Sequence, residues 1–261
     1  MIPFESAIAA LETERAIISN GSKQKGEKKM GKISIFDQAK KEGRTILTEF
    51  ESKRILKQAG IPVVETKLAK TQKEAVSLSQ KMGFPVALKI ASPDVIHKSD
   101  SGGVKLSLNN MTEVRKAYDE ILKKVKKQYA RAIVHGVSVQ KMARPGTEVI
   151  VGISKDPQFG PVIMFGLGGV FVELLKDVSF RVIPVERRDA QEMIEEIKGY
   201  PLLQGYRGKE PANIPALVET ILKVSKLIEE NPRIRELELN PIFAYRDKAI
   251  AVDARIILEK D

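Results

Sequence analysis

An α+β chain of two lobes, with mixed or antiparallel sheets, is the architecture this sequence predicts. Strand-like apolar stretches are interleaved with helical periodicities along the whole chain. Several neighbouring strands are separated by turns too short to hold a crossover helix, as where Glu148 to Ser154 meets Pro161 to Phe165 across the turn Lys155 to Gly160. A simple doubly wound sheet would need longer, helical crossovers between its parallel strands.

Residues 1–29 read as a flexible N-terminal extension. A short helical stretch, Glu5 to Ile18, runs into the polar tract Asn20 to Lys29, which lacks the apolar surface to order itself. Ser34 to Ala59 then follows helical spacing through Ile35, Ala39, Ile46, Phe50, Ile55 and Leu56, and Gly60-Ile-Pro62 ends it. Strands are predicted over Val63 to Ala69, Val86 to Ile90, Gly103 to Leu108 and Gly136 to Met142, with helices over Lys73 to Met82 and Met111 to Tyr129. The second half opens with the strand pair noted above. It continues through Gly166-Leu-Gly-Gly169, a strand at Phe180 to Pro184, helices around Ala190 to Ile197 and Ile214 to Glu229, and two closing strands, Leu237 to Tyr245 and Ala249 to Ile257. No internal repeat is visible. A lobe boundary near Gly136 divides the folded part into residues 30–135 and 136–261.

Composition narrows the function classes. The chain has 261 residues, 43% of them hydrophobic, and no apolar run of the roughly 20 residues that a bilayer span requires. With no cysteine, disulfides, thiolate catalysis and cysteine-ligated zinc are excluded, and the N-terminus has no basic-then-apolar signal pattern, so a cytoplasmic protein without a membrane role is expected. Charged residues at 30%, mostly Lys and Glu, fit a thermophile. A net charge of +10 suits anionic ligands, but the lysines are dispersed and the sparse aromatics do not alternate with them, which argues against nucleic acid.

Val86-Ala-Leu-Lys-Ile90 sets one lysine in an apolar strand, ahead of a polar loop that ends in Ser101-Gly-Gly103. Burying that ammonium calls for an anion, and a nucleotide phosphate would serve. Gly102 and Gly103 would let backbone N–H groups close around phosphate oxygens. The other reading puts Lys89 on a wet sheet face and the glycines in a plain hairpin. His97 sits inside the loop beside Lys98, a setting that suits transient phosphorylation of an imidazole nitrogen, although a lone histidine is more often structural. His135 is read as structural.

At the C-terminus, a two-residue loop centred on Arg246 and Asp247 puts Asn240 opposite Asp253, with Glu238 on the same face. Three oxygen-bearing side chains then converge, as Mg²⁺ prefers. A loop of odd length would undo this pairing, and Pro241 implies an edge or a bulge. Between the lobes, the strand end Ser138-Val-Gln-Lys-Met142 offers a backbone edge for an adenine. Met142 would pack against the ring, with Gln140 and Glu148 as polar contacts. The other reading is an ordinary connection. Gly166-Leu-Gly-Gly169 matches neither a dinucleotide fingerprint nor a P-loop.

The ordered set Val86-Ala-Leu-Lys89, His97-Lys-Ser-Asp-Ser-Gly-Gly103, Val139-Gln-Lys-Met142, Gly146-Thr-Glu148, Glu238-Leu-Asn-Pro241 and Val252-Asp253 resembles the β subunit of archaeal ADP-forming acetyl-CoA synthetases. The likeness runs from about Ile33 to Leu258. More distantly the chain is similar to the nucleotide-binding domain of succinyl-CoA synthetase β chains. The resemblance implies an ATP-grasp fold with ATP or ADP held between the lobes and a CoA-binding α subunit as partner, in an α2β2 assembly. It implies ligase chemistry in which His97 carries a phosphoryl group to ADP and Glu238 steadies the phosphohistidine. It implies nucleotide contacts from Lys89, Gly102, Gly103, Gln140, Lys141, Met142 and Glu148, and Mg²⁺ ligation by Asn240 and Asp253. Where the succinyl-CoA synthetase pattern has a glutamate, this chain has Gln140, which leaves an amide contact. Two other readings use much of the same machinery: an ATP-grasp carboxylate ligase working through an acyl phosphate without His97, and a non-catalytic nucleotide-sensing subunit.

Overall fold

The computed structural model describes residues 34–95, 98–169, 176–208 and 210–260. The expected extension over residues 1–29 and the candidate nucleophile His97 lie outside them.

Two antiparallel sheets organise the chain. The first has four strands in the order β1-β4-β2-β3, formed by β1 (Thr66–Ala69), β2 (Val86–Ala91), β3 (Val104–Leu108) and β4 (Gly136–Lys141). Strand periodicity sends Val86, Leu88 and Ile90 of β2, with Val137 and Val139 of β4, into a core closed by α3 (Gln72–Met82) and α4 (Met111–Gln128). β2 is buried on its other face too, where Lys89 pairs with Ser138 and Ala87 with Gln140. Polar groups therefore sit on the inner surface of a central strand.

The second sheet runs β10-β8-β5-β6-β7, with β9 also on β8. Its strands are β5 (Thr147–Asp156), β6 (Gly160–Leu167), β7 (Val178–Val182), β8 (Ile234–Ala244), β9 (Ala249–Ala251) and β10 (Ala254–Leu258). Val151, Ile163, Phe165 and Leu239 meet α5 (Arg187–Glu196), α6 (Tyr200–Leu203) and α7 (Ile214–Glu230) in the larger core. None of the described helices is long and apolar enough to cross a membrane.

Two sequence expectations change. The single helix expected from Ser34 to Ala59 is two, α1 (Ile35–Lys41) and α2 (Glu49–Gln58). Between them the chain runs extended along β10, with Leu47 N–H donating to Ile256 O and Leu258 N–H donating to Thr45 O. Helical apolar spacing cannot reveal a pairing with a strand at the far end of the chain. The lobe boundary also moves. β4 hydrogen bonds within the first sheet, while Ala39, Leu47, Ile55, Leu56 and Ile61 pack into the core of the second. Residues 34–64 thus belong with the C-terminal half, and α2 lies between the sheets, touching both β1 and β10.

Candidate functional site

α2 starts where it does because Thr48 and Glu51 form a capping box. Glu51 N–H donates to Thr48 Oγ1 at 3.3 Å, and Thr48 N–H donates to Glu51 Oε2 at 2.8 Å. That start puts Glu49 and Lys53 one turn apart on one helix face, which is buried against the first sheet. Lys53 Nζ lies 2.7 Å from Glu49 Oε1 and donates to Gln140 Oε1 at 2.7 Å and to Thr66 Oγ1 at 3.2 Å. Lys89 Nζ reaches the same Glu49 Oε1 at 2.8 Å and Asp253 Oδ2 at 3.0 Å. Lys98 takes Glu49 Oε2 at 2.7 Å, with Asp253 Oδ1 3.8 Å away. Three lysines from three chain segments thus converge on one carboxylate whose side chain is only 3% exposed.

The charges in this cluster set one another. Burial by itself would raise the Glu49 pKa, but Lys53, Lys89 and Lys98 together hold it well below the usual carboxylate range. Burial, with the positive charge of Lys89 adding to it, pushes Lys53 down to about 8 despite Glu49. Lys89 is buried as well, yet Glu49 and Asp253 outweigh that burial and raise it above the ordinary lysine value. The difference is one of partners: Lys89 contacts two carboxylates, whereas Lys53 shares one and otherwise faces a neutral amide and a hydroxyl.

The C-terminal hairpin adopts the expected register. Tyr245 N–H donates to Lys248 O at 2.8 Å around Arg246 and Asp247, and β8 pairs Ile242 with Ala251 and Leu239 with Ala254. The closing strand breaks at Val252 and Asp253 into β9 and β10, and the pairing on both sides of the break keeps Asp253 level with Asn240. Asn240 Nδ2 donates to Glu238 Oε1 at 3.2 Å, and Arg255 Nη2 donates to Glu238 Oε2 at 2.9 Å. Glu49, Lys98, Glu238, Asn240 and Asp253 line one cavity of about 170 Å³. A larger one, about 730 Å³, runs past Glu51, Arg54, Tyr118 and His135 and includes none of the expected site residues.

Other expected contacts sit elsewhere. The Gly102 and Gly103 N–H groups donate to Ser99 O and Lys98 O, so they close the turn itself rather than pointing at a phosphate. A Cβ on Gly103 would stand 2.6 Å from Ile90 Cγ2, so packing alone requires glycine there. Gln140 is buried and held by Lys53. Lys141 Nζ donates to Met82 O and Gly83 O at the end of α3. The N–H groups of Lys141 and Met142 donate to Glu65 O and Pro85 O, because β4 is an inner strand without a free edge at that point. Glu148 is exposed beside the glycine-rich segment, its carbonyl accepting from Gly168 N–H at 2.7 Å and its carboxylate 3.1 Å from where a Cβ on Gly169 would stand.

Sequence reasoning missed Glu49, Lys53 and Arg255 as members of the site and saw Lys98 only as a cation beside His97. The pattern Thr48-x-x-Glu51, which marks a helix start, and the four-residue spacing of Glu49 and Lys53 were the available signals.

Asn240 and Asp253 suit Mg²⁺ as a partial set, since both offer hard oxygens to one cavity and Mg²⁺ commonly takes one or two protein ligands with phosphates and waters completing its shell. Among the described residues no three acidic or histidine side chains cluster to bind a metal unaided.

Comparison with known proteins agrees with this architecture. A family profile described as an ATP-grasp domain matches residues 38–258. The chain is 54% identical over 224 residues to the β subunit of acetate–CoA ligase [ADP-forming] I from Pyrococcus furiosus, covering 86% of this chain and 96% of that one. Among solved structures it is similar to acetyl-coenzyme A synthetase 1 of Ca. Korarchaeum cryptofilum in complex with coenzyme A, Ca-AMPCP and HgCl+, with a TM-score of 0.84, 51% identity, and coverage of 86% of this chain and 98% of that one. A second structure of that enzyme holds coenzyme A and Mg-AMPPCP with its phosphohistidine segment pointing towards the nucleotide-binding site; it matches at a TM-score of 0.76 and 48% identity, again over 86% of this chain and 98% of that one. With such identity over nearly the whole length of these relatives, the chain belongs to the ATP-grasp family of β subunits of ADP-forming acetate–CoA ligases.

Proposed function

We propose that this chain is the nucleotide-binding β subunit of a cytoplasmic ADP-forming acyl-CoA synthetase, working with a CoA-binding α subunit in an α2β2 assembly. The observation that carries the reading is the convergence of Lys98, Glu238, Asn240 and Asp253 around one cavity, with Lys89 just behind its wall in contact with Asp253 and Glu49. A cationic array facing hard oxygen ligands matches what the phosphates of ADP or ATP require.

In the direction of ATP synthesis, acyl-CoA and phosphate give an acyl phosphate and free CoA on the α subunit. The phosphoryl group passes to a histidine there, releasing the acid, and then to His97. A β-phosphate oxygen of ADP forms the new P–O bond as the P–N bond to His97 breaks, and the imidazole is regenerated. Lys89 and Lys98 bind and orient the phosphates. Glu238, whose carboxylate accepts from Asn240 and Arg255, is the acid that would steady the phosphohistidine. Asn240 and Asp253 would hold Mg²⁺, which when bound neutralises phosphate charge. In the nucleotide-bound arrangement, Met142 packs against the adenine ring, Gln140, Lys141 and Glu148 supply polar contacts, and the backbone of Gly102 and Gly103 meets the phosphates.

The test is incubation with Mg²⁺ and γ-labelled ATP, with nucleotide binding confirmed in parallel. Acid-labile, base-stable label is expected on the wild type and not on His97→Asn. Binding without label, persisting after an α subunit is added, would replace this reading with a carboxylate ligase or a nucleotide sensor.

A further inference from the structure

We propose that Glu49 is a positioning residue of the phosphoryl-transfer site, a buried carboxylate that holds the ammonium groups of Lys53, Lys89 and Lys98 in one fixed array beside Asp253 and Asn240. The proposal rests on reading the cavity as the nucleotide site.

The geometry separates Glu49 from a residue that merely supports the helix. The capping of α2 is done by Thr48 and Glu51, one position before it and two after, so the Glu49 carboxylate has no part in closing the helix end. It turns instead to three lysines of different origin, one on its own helix, one on β2 and one in the loop after β2. Lys53 and Lys89 share Oε1, and Lys98 alone takes Oε2, so both oxygens are engaged. Three ammonium groups at this spacing repel one another and would separate without an anion between them. Glu49 and Asp253 together set two negative charges against three positive ones, which leaves the array with an excess cation for an incoming polyanion. Lys53 extends the network to the Gln140 amide on β4, so the hub ties the phosphate side of the site to the strand beside it.

A residue that orients the lysines without touching the nucleotide should act on the chemical step more than on binding. Glu49→Gln and the isoelectric double variant Glu49→Gln/Lys53→Met are assayed with the α subunit in the ATP-forming direction, with active sites counted by ADP calorimetry. The double variant removes one charge of each sign, so it carries the test if the single one does not fold. The expected result is a kcat about 100-fold below wild type, the scale of a small misplacement of reacting groups, with the ADP KM within about threefold. A kcat per active site within about twofold of wild type, or equal losses in ADP affinity and kcat, would overturn the role of Glu49. If wild type itself binds no ADP, the nucleotide-site reading beneath it fails as well.

Discussion

Lys89 on the four-stranded sheet and Asp253 at the break in the C-terminal hairpin of the six-stranded sheet meet at 3.0 Å. The pair joins the two halves of the fold through the side chains that a phosphate and a metal ion would share. Removing either partner therefore acts on the site and on how the halves meet.

Lys89→Met should lower kcat/KM about 10²- to 10³-fold, the scale for deleting one preorganised donor from a transferring phosphoryl group. Glu49 keeps Lys53 and Lys98 in this variant, so its buried carboxylate is not left without a cation. Steady-state kinetics with the α subunit, normalised to folded protein by circular dichroism, checks it; wild-type activity in Lys89→Met would remove this lysine from the mechanism.

Asn240→Ala and Asp253→Ala should each raise the Mg²⁺ concentration for half-maximal activity by at least about tenfold, and chelation should stop turnover of the wild type. Magnesium titrations at saturating ADP read this directly. An unchanged magnesium requirement in both variants would move the metal away from the hairpin.

The buried Lys53 gives the stability curve a definite slope. Its folded pKa, about 8, lies below the ordinary lysine value of 10.5, so between these limits the unfolded chain binds more protons and stability rises with pH. Below about pH 8 both states are protonated and the cost of burial is borne in full. Lys53→Met should flatten the rise, worth up to about 3 kcal/mol at roughly 1.36 kcal/mol per unit. Lys89 has the opposite sense: its raised pKa contributes stability that is complete below 10.5 and is lost only above that value. Urea titrations of wild type and variant from pH 7 to 10 measure the difference, and parallel curves would contradict the assignment.

Gly103→Ala should destabilise the chain by about 1–3 kcal/mol, because its Cβ would press on Ile90 Cγ2 and on Lys98 O in a packed turn. Thermal melts decide it. A variant as stable as wild type would show that the turn gives way and that packing is not what requires glycine there.

The hairpin register and the lone lysine of β2 were legible from residues alone, because both follow from local rules. A two-residue turn at Arg246 and Asp247 propagates a period of two along both strands, which aligned Asn240 with Asp253 and placed Glu238 beside Asn240. The ammonium of Lys89 among Val, Ala, Leu and Ile called for an anion if the strand was buried on both faces, as it is. The segment after Ser34 was misread because its apolar spacing continues through a stretch held extended by Ile256 and Leu258, and no local pattern records such a partner.

By itself the sequence determined the α+β class, most of the helices and strands, the ordered motifs that carry the family likeness, and the three oxygen-bearing residues of the hairpin. Only the tertiary structure decided which anion meets Lys89, that residues 34–64 join the C-terminal half, and that Gly102, Gly103 and Lys141 use their donors within the fold. The reason is burial: a carboxylate at the start of a helix is ordinary until two sheets close over it, and only then do the lysines of three segments become its solvent.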